Sequence, residues 1–91
     1  MRVAVLGATG LVGQEIIKVL EERNFPISDF VPLASSKSAG KVVEFHGAPV
    51  EVKEVADDAF KGVDIALFAA GAGVSKRWAK VAVSKGAVVI D

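Results

Sequence analysis

The sequence predicts an α/β fold built on a doubly wound, mostly parallel sheet, and three observations carry that prediction. Short continuous apolar runs at Val3 to Leu6, Val63 to Phe68 and Ala87 to Ile90 are of the kind buried on both faces of a parallel sheet. Two amphipathic segments of helical period, Val12 to Glu22 and Val74 to Lys85, lie between such runs, and strands alternating with helices imply right-handed crossovers. The first run passes into the first helical segment through Gly7-Ala8-Thr9-Gly10-Leu11-Val12-Gly13. Glycine there lets the backbone bend without a Cβ clash, and the amides at the helix start then point at whatever anion sits beside them.

Taken in order, Arg2 to Leu6 reads as the first strand. In the helix from Val12 to Glu22, residues Val12, Ile16, Val19 and Leu20 recur at helical spacing, flanked by Ile17 and Phe25, while Gln14, Glu15, Lys18, Glu21 and Glu22 take the other face. Asn24 is a C-terminal stop and Pro26 cannot continue a helix. Asp29 to Ala34 reads as the second strand, although Pro32 removes one ladder donor. After the polar loop Ser35 to Lys41, the β-prone runs Val42 to Phe45 and Val50 to Val55 flank His46-Gly47-Ala48-Pro49. That predicts an antiparallel hairpin with a four-residue turn, placed as an extension of the sheet edge. Asp57 to Lys61 fits one helical turn, and Val63 to Phe68 a strand running into the small residues Ala69 to Gly73. The second helix follows, with Val74, Trp78, Val81 and Ala82 facing inward, and Ala87 to Ile90 is the last strand.

The expected strand order is hairpin edge, second strand, first strand, then the strands at Val63 and Ala87. It reverses at the first strand, which places a ligand crevice between the Gly7 and Gly71 turns in a Rossmann-type sheet. At 91 residues the chain makes one domain at most. With 52% apolar and 24% charged residues it has a foldable composition, and its formal net charge of +0 gives no argument for a nucleic-acid or anionic-membrane partner. No apolar run approaches a membrane span and no signal peptide precedes the first strand, so the expected setting is cytoplasmic. The absence of cysteine removes disulfides, thiolate metal sites and thiol nucleophiles together.

Dinucleotide sites choose between cofactors at the end of the second strand, where an acidic residue accepts from the adenosine ribose hydroxyls. Here Leu33-Ala34-Ser35-Ser36-Lys37-Ser38 supplies hydroxyls and one cation instead, which suits a 2′-phosphate and predicts preference for NADP(H). His46 reads as a solvated turn histidine, Trp78 as core, and Lys76, Arg77 and Lys80 as a solvated basic face. One histidine and no cysteine assemble into no catalytic set and no metal site.

The glycine turn from Gly7 to Gly13, the loop Ser35-Ser36-Lys37-Ser38-Ala39-Gly40-Lys41, and the stretch from Phe68 through Ser75 to Asp91 together resemble the amino-terminal part of aspartate-semialdehyde dehydrogenases. The resemblance implies an NADP-dependent enzyme that reductively dephosphorylates L-aspartyl 4-phosphate to the semialdehyde, on the route to lysine, threonine and methionine. It also implies roles. The turn Gly7, Thr9, Gly10, Leu11 and Val12 meets the cofactor phosphates, the loop residues Ser36, Lys37 and Ser38 hold the adenosine 2′-phosphate, and Ala70 and Gly71 lie near the nicotinamide. The family commonly has arginine where this chain has Lys37, which keeps the charge and loses the planar fork. The family's cysteine nucleophile, histidine acid-base and substrate arginines lie beyond the position matching Asp91. Residues 1–91 are therefore expected to be a dinucleotide-binding fragment, truncated before the catalytic and dimerisation domain and inactive by itself.

Two readings stand beside this one: a free-standing nucleotide-sensing domain, and the start of a related acyl-phosphate reductase or a short-chain reductase. The last strand is expected to expose an unpaired edge beside apolar side chains, with Asp91 the one nearby charge, so the chain is expected to form a homo-oligomer through that edge. The parent enzyme is expected to be a homodimer or larger.

Overall fold

The structure is a computed structural model and describes residues 1–90. Asp91, the charge counted beside the last strand, lies outside the described residues. The elements are β1 (Arg2–Leu6), α1 (Leu11–Glu22), β2 (Asp29–Ala34), β3 (Val42–Phe45), β4 (Ala48–Glu51), β5 (Lys53–Glu54), a 3-10 turn (Asp57–Phe60), β6 (Ile65–Phe68), α2 (Ala72–Ser84) and β7 (Val88–Ile90). Five strands form a parallel sheet in the order β5-β2-β1-β6-β7, and β3-β4 forms a separate antiparallel ribbon. The chain builds outward from β1 to one side and then crosses to the other, so the order reverses at β1 as expected.

Alternation along β1 divides the core between two faces. Ala4 and Leu6 join Leu33, Ala66, Phe68, Phe60 and Ala82 on the α2 side. Val3 and Val5 join Ala8, Ile17, Leu20 and Phe30 on the α1 side. Pro32 sits within β2 without breaking it. Leu33 gives its carbonyl to the Gly7 amide on the β1 side, so the neighbouring Pro32 nitrogen faces outward, where β5 pairs only with Leu33 and Ala34.

The hairpin differs from expectation in two respects. It does not extend the sheet edge but folds over the α1 face, where Val43, Phe45 and Val50 pack against the core and Phe45 stacks on Phe30 with ring centroids 4.5 Å apart. There the ribbon buries one apolar face against the core. The edge of β2 is taken instead by Lys53–Glu54, after the chain bends at Val52, which is fully buried and exchanges hydrogen bonds with Gly40 and Lys41. The turn is also two residues, not four: His46 and Gly47 both have positive φ, 51° and 79°, as the tight turn matching strand twist requires. The His46 amide donates to Glu21 Oε2 at 2.6 Å, tying the exposed turn to α1.

Most of the expected inward residues face the core, Ile16, Ile17 and Leu20 on α1 and Trp78, Val81 and Ala82 on α2, while Val12, Val19 and Val74 do not. On α1 the buried stripe is Gly13, Ile17 and Leu20, whereas Val12 and Val19 are 62% and 46% exposed. On α2 it is Ser75 and Ala82, with Trp78 and Val81 half-buried and Val74 47% exposed. Small residues set the rotation of each helix, because a helix approaches the sheet closest where it has least side chain. Asn24 ends α1 as expected, with φ 51° and the paired closing bonds Asn24 N–H to Glu21 O and Phe25 N–H to Leu20 O.

Candidate functional site

The site is assembled where three strands end together. Gly7, just past β1, has φ +88°, and the amides of Gly7 and Ala8 donate to the Leu33 carbonyl at 2.9 and 3.2 Å. A Cβ on Gly7 would lie 2.9 Å from the Ala69 carbonyl carbon. Glycine at this point therefore holds the glycine turn against the ends of β2 and β6 at once, which no larger residue permits. Gly13 does a related job for the helix: its Cβ would lie 2.0 Å from the Gly7 carbonyl oxygen, so α1 begins pressed onto the turn. Gly10 is different. Its Cβ would meet only Gly7 O at an ordinary 3.5 Å, and it is exposed, so the middle glycine is not demanded by packing and leaves the turn open to a ligand.

Gly10 is the N-cap of α1, offers no side-chain cap, and has no acidic residue after it in the first turn. The first amides of a helix have no intrahelical acceptor, and here no acidic side chain of the first turn offsets the positive end of the helix. The N-cap of α2 is also a glycine, Gly71, likewise without a side-chain cap. Ser75 is 3% exposed and donates its hydroxyl to the Ala70 carbonyl at 3.1 Å, which fixes the turn from β6 into α2.

Between these turns runs a crevice of about 720 Å³, within the range of nucleotide and small-ligand sites. Of the candidate residues, Gly7, Thr9, Gly10, Ser36, Ser38 and Ala70 line it together. Leu11 and Val12, at the helix start with side chains 86% and 62% exposed, are not among the residues that line it. Lys37 lies between the two lining serines but is exposed and not part of the wall, and Gly71 is exposed at the rim. Ser35 of the hydroxyl-bearing loop lines the crevice too, and so do Val55, Asp57, Val74 and Arg77, which the sequence does not mark as site residues. Trp78, expected as core, belongs to both: it packs against the α2-side core and lines the crevice. Among the described residues no group of three or more His, Cys, Asp or Glu could hold a metal, and no helix is long and apolar enough to cross a membrane.

A glycine turn and uncapped helix start at the switch point of a doubly wound sheet, facing a hydroxyl-lined loop, define a nicotinamide-dinucleotide-binding domain of Rossmann type. Comparison with known proteins gives the family: residues 2–91 match the model of the semialdehyde dehydrogenase NAD-binding domain, and the chain belongs to that family. It is 51% identical over 92 residues to an aspartate-semialdehyde dehydrogenase of Campylobacter jejuni, covering 99% of this chain and 27% of the relative. Among solved structures it resembles aspartate semialdehyde dehydrogenase II of Vibrio cholerae complexed with ASA, with TM-score 0.94, 46% identity, and coverage of 99% of this chain and 29% of the other. The Candida albicans aspartate semialdehyde dehydrogenase with NADP is similar at TM-score 0.69 and 27% identity, covering 97% of this chain and 28% of that one. The chain thus spans about a quarter of the length of the relatives it matches.

Proposed function

We propose that residues 1–91 are the NADP(H)-binding domain of an aspartate-semialdehyde dehydrogenase, whose catalytic and dimerisation domain lies elsewhere in a longer parent. The observation that carries the cofactor reading is the single crevice that joins the glycine turn to the Ser36 and Ser38 hydroxyls. The enzyme reading is supported by the similarity to aspartate-semialdehyde dehydrogenases. Under it the parent reduces L-aspartyl 4-phosphate to the semialdehyde with loss of phosphate, in the cytoplasm, as a homodimer or larger.

The dinucleotide, when bound, supplies the hydride from its nicotinamide. What this chain does is hold it. The open Gly10 turn and the amides of Leu11 and Val12 receive the pyrophosphate, while Ser36 and Ser38, with Lys37 between them, receive the adenosine 2′-phosphate. Ala70 and Gly71 leave the nicotinamide end free of side chains. A cation beside two hydroxyls favours the extra phosphate of NADP(H) over the bare ribose of NAD(H).

The test is calorimetric titration of the chain with NADP(H) and NAD(H). Tighter binding of NADP(H) is expected, and equal affinity overturns the cofactor preference. With no residue here able to form a covalent thioester, the chain alone is expected to give no phosphate-dependent reduction of NADP by aspartate semialdehyde. Turnover that follows the pure chain overturns the division of labour between domains.

A further inference from the structure

The serine loop is held at both of its ends by one short stretch of chain, Val52 to Val55. At the entry, Leu33 and Ala34 of β2 pair with Lys53 and Glu54, and the Val55 amide donates to the Ala34 carbonyl at 2.9 Å. At the exit, the Gly40 amide donates to the Val52 carbonyl and the Val52 amide donates to the Lys41 carbonyl, both at 2.8 Å. Between these ends the loop winds on itself: the amides of Ser38 and Ala39 donate to the Ser35 carbonyl at 3.0 Å, and that of Lys41 to the Ser38 carbonyl at 3.2 Å. Ser35, Ser36 and Lys37 are exposed, so side-chain burial does little to fix this part of the loop. Val52 is the one member of the stretch that is fully buried, and it does not line the crevice. Its side chain is anchored in the core while both of its backbone polar groups grip the loop.

We infer that Val52 is a positioning residue for the 2′-phosphate: with Gly40 and Lys41 it closes a backbone clasp that sets the Ser36 and Ser38 hydroxyls in the crevice wall before the cofactor arrives. The inference rests on the NADP(H) reading above and adds to it a specificity-determining residue that touches no ligand. A loop that its ligand must order loses part of the contact energy to that ordering, whereas a preset loop keeps it. Gly40 makes the exit from the loop possible. Its φ is +91°, a conformation that L side chains rarely adopt, and an added Cβ would meet nothing within 4 Å. Substitution of Gly40 therefore strains the clasp without touching the core, and substitution of Val52 loosens it from the core side. The glycine turn is held separately, through the Leu33 carbonyl, so the clasp bears on the extra phosphate and not on the pyrophosphate.

The experiment titrates the chain calorimetrically with 2′,5′-ADP and 5′-AMP, whose affinity ratio isolates the 2′-phosphate. It is repeated with Val52→Ala, with Gly40→Ala and, as a control for lost core packing, with Val3→Ala, since Val3 is fully buried on the α1 side. Val52→Ala and Gly40→Ala are each expected to lower the preference for 2′,5′-ADP by about three- to tenfold, to leave 5′-AMP affinity unchanged, and to speed amide exchange at Gly40 and Val52 in the free chain. Val3→Ala is expected to lower stability and leave the ratio as it is. Gly40→Ala keeps the core intact, so it decides the outcome if Val52→Ala does not fold. An unchanged ratio in Gly40→Ala or in folded Val52→Ala, or equal weakening of both nucleotides, overturns the clasp while leaving the dinucleotide reading intact. A ratio lowered as much by Val3→Ala overturns it as well. An unaltered chain that binds both nucleotides equally overturns the NADP(H) preference and the clasp with it, and one that binds neither overturns the dinucleotide reading too.

Discussion

Gly10 and Gly13 punctuate one turn for different reasons, and substitution separates them. Gly13→Ala drives a methyl into the Gly7 carbonyl, 2.0 Å away, where neither backbone segment has room to yield. A loss of about 1–3 kcal/mol of stability is expected, read as a lowered urea midpoint at unchanged m-value. Gly10→Ala meets only an ordinary contact and costs the fold about 0.5–1 kcal/mol as a poorer helix cap. Its methyl instead stands where the phosphates are received, so dinucleotide affinity is expected to fall about tenfold or more, the scale of one lost charge-assisted hydrogen bond. Equal effects of the two changes on stability would contradict this division. At the 2′-phosphate end, Lys37→Glu is expected to abolish or reverse the preference for NADP(H), a change of about 1.5–3 kcal/mol, measured by titration with both cofactors. The glycines were legible in the sequence because their spacing is local. Arg77 was not, since nothing in its neighbours' charges says which of Lys76, Arg77 and Lys80 turns toward the crevice.

At the level of elements, strand and helix positions and most of the inward face of each helix were legible, and the exact edge of the α1 face was not. Hydrophobicity ranks Val12 and Val19 above Gly13 as core candidates, but the close approach of α1 to the glycine turn sets the rotation. The stripe that follows from Gly13 at i+4 and i+7 is Ile17 and Leu20, both buried. A reader who starts the stripe from the last glycine of the turn, not from the first valine, obtains the observed face. The hairpin strands were legible for their β-prone residues, but their placement depended on Phe45 finding Phe30, a contact between distant residues that no local pattern encodes. On α2, the buried Ser75 is a positioning residue: it holds the Ala70 carbonyl and with it the floor of the crevice. Ser75→Ala is expected to cost about 0.5–1.5 kcal/mol and to raise amide exchange in the turn from β6 to α2. Unchanged exchange there would show that the hydroxyl bond does not hold the turn.

For the whole molecule, the two edges of the sheet are unequal. One ends in the charged pair Lys53–Glu54, a short edge that resists pairing with another chain. The other ends in Val88, Val89 and Ile90, with Val88 and Ile90 61% and 50% exposed and no partner strand on the outer side among the described residues. An exposed apolar edge of this type templates pairing. The isolated chain is expected to self-associate through β7, with mass by light scattering rising with concentration, and Val88→Lys is expected to return it to monomer; a monodisperse monomer at high concentration would show the edge to be protected. The central claim is that the glycine turn, the serine loop and the β6–α2 turn form one dinucleotide site. It is tested most directly by titrating NADP into the isotopically labelled chain and following every backbone amide by NMR. The predicted result is a set of perturbed amides confined to Gly7–Gly13, Ser35–Ser38, Ala69–Gly71 and the wall at Val55–Asp57 and Val74–Trp78. Perturbations centred on the β3-β4 ribbon or the outer face of α1, or none at saturating NADP, would contradict it.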